Sequence, residues 1–300
     1  MAVNYFIFGG TRTDGTDGIN FATAFKCYPS GTYAYGSGEV DYDTQSICGL
    51  TGDILIPKNR FENTTLVYPC IMVTKDNTEF NKYIKAIKQA YLRYSQLGKY
   101  LILRDSYTTN GYRRAFLKSI DIEEIQLTAA KIGFNFEVDP RFFLDSGSDV
   151  IDIGFTKNRP NNPYPITNPT RDLVTNAYQT SNVFGTISKP IIRITLGSSM
   201  GTGKELAVEF TDINNQSVSN IIKVKKGNGS SRIIDIDTET MKVYNINTYA
   251  NESASISSGF IQEMALSPSI TYCRAYIIDP NSQTAYSDCN VKVIPRWYTL

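Results

Sequence analysis

The stretch Gly197-Ser-Ser-Met-Gly201-Thr-Gly203-Lys204-Glu205 has the glycines and the lysine of a loop that wraps phosphate groups. In such a loop backbone N–H groups cradle the anion, the lysine reaches it, and a following Ser or Thr holds magnesium. Here the spacing is one residue too long, Glu205 stands where the hydroxyl is needed, and the residues beyond it alternate as a strand. It therefore reads as a hairpin loop. Asp235, Asp237 and Glu239 alternate along one strand face, a pattern by which carboxylates can gather around calcium. No glycine-bearing ligand loop frames them, so they read as a solvated face entering the turn Thr238-Glu239-Thr240.

Histidine is absent, which removes His-based triads, His metal ligands and His general bases together. The cysteines Cys27, Cys48, Cys70, Cys273 and Cys289 show no CxxC pairing, and their odd number reads best as reduced thiols. Cys273 and Cys289 could still face each other across a hairpin. No pair of carboxylates stands out for glycosidase chemistry. Glycosylation sequons at Asn63, Asn215, Asn228 and Asn251 matter only in a secreted chain. Arg113-Arg114 beside Tyr112 is either a contact for an acidic partner or a solvated hairpin. These readings leave a chain with no catalytic residue, no cofactor and no metal site: not an enzyme.

What must position any remaining contact residues is a largely β chain with one long helix. Phe80, Tyr83, Ile84, Ile87, Tyr91, Tyr94 and Leu97 recur at helical spacing, with Asp76 and Glu79 as a capping box and Gly98 at the stop. The spacing predicts a helix over 77–97. Around it, Asn4–Phe8, Phe21–Tyr28, Thr64–Val73, Lys99–Arg104, Tyr112–Ile120 and Leu127–Val138 read as strands, and Thr32–Asp43 as an extended arm or hairpin. This half is an α+β unit, a mainly antiparallel sheet with the helix on one face. Between Lys157 and Lys189, Pro160, Pro163, Pro165 and Pro169 forbid a central strand, which leaves a linker or a strap. From Pro190 onward evenly spaced short strands indicate a β-sandwich or jelly-roll-like domain. The boundaries are 1–148, 149–189 and 190–300.

The 300 residues suffice for two domains with cores of their own. A net charge of +1 with interspersed signs argues against a nucleic-acid footprint or a polybasic membrane surface. Apolar runs are too short to cross a bilayer, and Met1–Gly10 shows no secretory pattern. Trp297, the single tryptophan, follows the last strand and Pro295. It either anchors the chain end against the first domain or linker or sits in the sandwich core.

The order of local sequences adds a resemblance. Gly49-Leu-Thr-Gly52-Asp53-Ile-Leu-Ile, Asn59-Arg60-Phe61-Glu62-Asn63 and Tyr68-Pro69-Cys70 look like the first signature of siphophage distal tail proteins. Leu103-Arg104-Asp105-Ser106-Tyr107, Tyr112-Arg113 and Asp139-Pro140-Arg141-Phe142-Phe143-Leu144 are similar to the next blocks of that family. Ile234–Thr240 before Val243-Tyr244-Asn245, and the closing Ile294-Pro295-Arg296-Trp297-Tyr298, resemble it too. The linker is longer and richer in Pro and Asn than the family needs, and Ser253–Ile270 fits the sandwich loosely.

The resemblance implies a ring-forming first domain and a galectin-like second one. It implies a structural virion protein, assembled in the host cytoplasm, whose hexamer joins the tail tube to the baseplate or tip. The channel would pass the tape measure and then DNA, without specific binding. Its partners would be further copies of itself, the tail tube protein, a tail-associated lysin or tip protein, and receptor-binding proteins. The alternative is a carbohydrate-binding module that grips the host surface through the second domain. Candidate contact residues are Tyr33 and Tyr35 on the arm, Arg104, Tyr112, Arg113 and Arg114, and Trp297.

Overall fold

The computed structural model describes residues 4–31, 40–46, 53–167, 186–214, 218–228, 231–268, 270–277 and 286–299. Tyr33, Tyr35 and Cys48 lie outside the described residues. The chain is mainly β with one long helix and forms two compact units, the first ending at Asp145 and the second beginning at Ser146.

The first unit runs β1 (Phe6–Gly10), β2 (Ile19–Asn20), α1 (Phe21–Phe25), β3 (Cys27–Pro29), β4 (Val40–Ser46), β5 (Asp53–Phe61), β6 (Thr64–Val73), α2 (Asn77–Gln96), β7 (Leu101–Asp105), β8 (Gly111–Gln126) and β9 (Ala129–Leu144). Its main sheet has the order β2-β1-β7-β8-β9-β6-β3, with antiparallel pairing throughout. β4 and β5 pair separately; of the expected arm Thr32–Asp43, the structure describes Val40–Asp43, which lie in β4. Phe21–Tyr28, expected as one strand, is instead the single turn α1 followed by β3. The side chain of Asn20 accepts hydrogen bonds from the N–H groups of Ala22 and Thr23, and this cap holds the turn.

α2 spans 20 residues. The Asp76 side chain accepts from Glu79 N at 2.8 Å, and Glu79 Oε2 accepts from Lys75 N at 3.1 Å, one residue earlier than a standard capping box. Gly98 follows at φ +58°, a left-handed stop that suits glycine. Phe80, Ile84, Ile87 and Tyr94 are buried, with Tyr83 and Tyr91 partly buried beside them. Leu97 departs from the expected face: it is exposed at the C-cap, where the helix has already ended.

Beneath the helix lies an aromatic core. Phe6 stacks on Phe21 at 4.6 Å and on Tyr68 at 4.7 Å, and Phe8 meets Phe136 and Tyr94 edge-on. The Tyr68 hydroxyl donates to the buried Asp105, whose other oxygen accepts from Tyr107 N and Thr108 N. The buried Tyr68 hydroxyl and Asp105 carboxylate are thereby satisfied.

The second unit contains β10 (Ile151–Asp152), β11 (Tyr164–Thr167), β12 (Ile191–Leu196), β13 (Glu205–Asp212), β14 (Ser219–Lys225), β15 (Arg232–Asp237), β16 (Lys242–Asn245), β17 (Ile256–Ser258), β18 (Ile270–Ile277) and β19 (Asn290–Ile294). They form two antiparallel five-stranded sheets, β10-β19-β12-β15-β16 and β11-β18-β13-β14-β17. Alternate residues are buried along β12 and β19, the pattern of a sandwich core.

Three expectations change here. The segment 149–189 is not merely a linker: β10 and β11 are edge strands of the two sheets. An edge tolerates Pro165 because one side of the strand needs no ladder donor. The Gly197–Lys204 loop is not a hairpin, since β12 and β13 belong to different sheets. It is tied down by Asp288, which accepts from Ser198, Ser199 and the Ser199 N–H, while the buried Lys226 ammonium donates to the Gly197 carbonyl. Cys273 and Cys289 do not face each other across a hairpin; Cys273 lies in β18, Cys289 precedes β19 of the other sheet, and both are buried free thiols.

Candidate assembly interface

Four of the contact residues singled out by sequence converge at one end of the β7–β8–β9 sheet. The register sets Gly111 opposite Leu144, Tyr112 opposite Phe143 and Arg113 opposite Phe142, then shifts so that Ala115 faces Val138. The extra residues Asp139, Pro140 and Arg141 oppose Arg114 there, making a bulge. Pro140 has no N–H for the ladder, so pairing breaks where it stands and the strand bends. Bulges re-aim side chains, and this one brings two arginines over one ring.

The Arg114 guanidinium lies 4.4 Å, and that of Arg141 5.1 Å, from the centre of the buried Phe143 ring. Phe143 stacks on Tyr112 at 5.3 Å, and Arg104 lies 5.8 Å from the Tyr112 ring. Arg113 covers Phe142 at 5.1 Å. Each such cation over an aromatic face contributes about 0.5–1 kcal/mol while leaving the guanidinium edge able to donate.

Two carboxylates lie among these cations. Asp139 takes a bidentate pair from Arg141, at 2.9 and 2.6 Å. Asp145 pairs with Arg104, whose Nε also donates to the Thr13 carbonyl at 2.6 Å. Arg104, Arg113, Arg114 and Arg141 thus gather at this end, with Asp139 and Asp145 among them.

The opposite end of the same hairpin has the other sign. Asp121, Glu123 and Glu124 are exposed along β8, with Ile125 and Leu127 at the tip. Lys131 lies 3.8 Å from Glu123, a pair exposed on both sides and of little stabilising weight. Arg113 and Glu123 lie ten residues apart along β8, so at about 3.3 Å per residue the two ends are separated by roughly 33 Å.

The remaining contact residue does not join them. Trp297 is 1 % exposed in the second unit, and Gly147 packs so closely that a Cβ there would lie 2.3 Å from the Trp297 nitrogen. Ser188 donates to the carbonyls of Pro295 and Arg296, and Arg296 N donates to the Gly147 carbonyl at 2.7 Å. The Trp297 side chain is thus buried within the second unit.

Sequence reasoning passed over Arg141, Phe142 and Phe143 as contact residues, although the alternation of aromatic and arginine across two predicted hairpin strands was available. It also left Asn63 as a bare sequon. The Asn63 amide donates to Tyr100 at 2.6 Å and to Glu137 at 2.9 Å. The Asn63 bond and one from the Tyr100 hydroxyl at 3.0 Å hold the Glu137 carboxyl below its ordinary range, while burial, then the neighbouring Glu137, pushes the Tyr100 phenol up to about 12.

No protein-family model and no curated protein matches the chain. Solved structures do share its fold, among them a tail-hub and a baseplate structure of phages. One is SPP1 Dit, described as a paradigm of the hub adsorption apparatus in phages that infect Gram-positive bacteria; it matches with a TM-score of 0.63 at 14 % identity, over 99 % of this chain and 98 % of that one. A chain of the phage P2 baseplate, in its activated conformation with Ca, matches with a TM-score of 0.51 at 12 % identity, over 97 % of this chain and 98 % of that one. At such identities the likeness shows the fold.

Proposed function

We propose that this chain is a structural hub of a long phage tail, a distal tail protein whose ring of six joins the tube to the baseplate or tip. The fold shared over nearly its whole length with SPP1 Dit carries the reading. In this role the first unit closes the ring, the second projects as a galectin-like sandwich, and the central channel passes tape measure and DNA. Tail tube protein binds on one side and a tip protein or tail-associated lysin on the other. The protein then works in the virion tail, and no catalytic residue is required of it.

The β8–β9 hairpin supports a head-to-tail contact between copies. Its arginine end (Arg104, Arg113, Arg114, Arg141) and its acidic end (Asp121, Glu123, Glu124) are complementary, so the end of one copy can meet the opposite end of the next. Such heterologous contacts make rings when the rotation closes, and opposite charge fixes their register. Native mass spectrometry of the full-length protein tests this: six copies are expected, and Arg113→Glu with Arg114→Glu should leave monomers. Adding the double variant Glu123→Arg, Glu124→Arg should restore mixed assemblies. A hexamer indifferent to both variants would place the contact elsewhere, and a strict monomer at high concentration would remove the ring.

A further inference from the structure

The outer face of the β11-β18-β13-β14-β17 sheet carries a polar cleft lined by Arg159, Pro163, Thr211, Ser219, Tyr272 and Arg274. The register builds it. Thr211 stands opposite Ser219 on one side and Tyr272 on the other, and Glu209, two residues earlier on the same face, stands opposite Arg274. The segment that follows β10 then brings Arg159 over this face. Thr156 N donates to the Ala275 carbonyl, and Thr156 bridges Tyr276 in parallel.

Glu209 forms the floor, with 0 % of its surface exposed. Its carboxylate accepts from Arg159 Nε at 2.8 Å and Nη2 at 2.5 Å, from Arg274 Nη1 at 3.2 Å and from the Tyr276 hydroxyl at 3.4 Å. Burial alone would raise its pKa, but the Arg159 and Ser219 side chains and the charges of Arg159 and Arg274 outweigh it and hold the pKa below the usual carboxylate value. Arg274 is fixed further by its Nε, which donates to the Pro160 carbonyl at 3.1 Å.

This arrangement selects a class of ligand. The acceptor capacity of Glu209 is already engaged by three side chains, so a ligand hydroxyl has little to donate to. One carboxylate against two guanidiniums leaves a surplus positive charge in a partly desolvated cleft. Arg159 Nη1 and Arg274 Nη2 make no hydrogen bond among the described residues, and the Arg159 side chain is 56 % exposed. What remains on offer is a set of charged donors, whose complement is an acceptor-only anion. Tyr272 and Pro163 add an apolar wall for a carbon skeleton.

We propose that this cleft binds the phosphate group of a small polyol or sugar phosphate. Arg159 and Arg274 hold the oxygens while Glu209 keeps both guanidiniums in place. The site lies wholly within the second unit and does not depend on ring formation.

Isothermal titration of the full-length protein at low ionic strength tests it, with inorganic phosphate, glycerol 3-phosphate, neutral methyl galactoside and matched chloride as probes. Saturable millimolar binding of inorganic phosphate is expected, and glycerol 3-phosphate should bind about threefold more tightly through its carbon chain. Arg159→Lys keeps a cation on Glu209 but loses the forked donors, so it should weaken both about tenfold, with Trp297 fluorescence showing the second unit still folded at the titration temperature. Equal affinity for the two phosphates supports the anion site and removes the apolar wall from it. Heats no different from chloride, or wild-type affinity in Arg159→Lys, would overturn the proposal. Saturable binding of methyl galactoside without phosphate binding would overturn it too, in favour of a neutral saccharide site.

Discussion

The first unit packs an aromatic core under a helix and gathers four arginines at one end over rings, whereas the second buries carboxylates on the faces of its sheets beneath guanidiniums. Phe6, Phe8, Phe21, Phe134 and Phe136 fill the former. In the latter Glu209, Asp235 and Asp237 are all nearly hidden from water. Asp235 takes a bidentate pair from Arg193, with both contacts at 2.8 Å, and Asp237 takes one from Arg296, also at 2.8 Å. The contrast shows two ways of finishing a sheet face. Helix α2 covers one with apolar area, which is non-directional and tolerant. Ion pairs cover the other, and they hold only while every member is present.

The two units can be followed separately. Trp297 is the only tryptophan and lies in the second unit, so fluorescence follows that unit, while far-ultraviolet circular dichroism of α2 follows the first. The largest effect is expected from Ile87→Asp, which places a charge at a side chain that is 0 % exposed. It should cost about 5 kcal/mol, enough to unfold the first unit, with the fluorescence transition unmoved. Lys88→Asp on the exposed face is the control. Comparable loss in both variants would mean that α2 is covered on both sides.

A smaller loss should follow Arg193→Met, which leaves the Asp235 carboxylate buried without its partner. About 3 kcal/mol is expected, read in the urea midpoint of Trp297 fluorescence. If Asp235→Leu with Arg193→Met restores the midpoint, the pair gives the face specificity more than stability. A midpoint unmoved by the single variant would erase the contrast between the units.

The smallest effect concerns acid. Burial opposes ionisation of Asp237, yet Arg296 and the N–H groups of Thr240 and Glu239 bring its pKa down from 3.8 to about 2. A depressed carboxylate contributes stability that is complete above the unfolded value and disappears as pH falls through the folded one. About 2 kcal/mol should therefore vanish between roughly pH 4 and pH 2. The loss should appear in the fluorescence midpoint and be absent from Arg296→Met, whose midpoint is already lower at neutral pH. An acid limb of equal size in that variant would assign it to another group.

The sequence displayed what is local. Helical spacing from Phe80 to Tyr94 and alternation along Thr64–Val73 are set by residues a few positions apart, and both were legible. So was the exclusion of Pro163 and Pro165 from a central strand. Asp235 and Asp237 read as solvated because the arginines that bury them are 42 and 59 positions away. The loop after Leu196 read as a hairpin because no local signal tells which sheet the next strand will join. Phe21–Phe25 read as a strand because a single capped turn is too short to show a period. At the candidate interface, Tyr112, Arg113 and Arg114 were visible as a cluster, but the bulge that adds Arg141 depends on a register between two strands.

The second unit begins and ends at one place. β10 lies against β19, with Ile151 opposite Val293, and the backbone of Arg296 is bonded to that of Gly147. Strands so paired are about 4.8 Å apart. The unit is therefore a cassette: its two flanks meet, so its interior can lengthen, shrink or be exchanged without displacing them. It also has a weak direction under tension. A load pulling those flanks apart opens β10 from β19 one hydrogen bond at a time, like a zipper, whereas a load along the strands must shear the whole ladder at once.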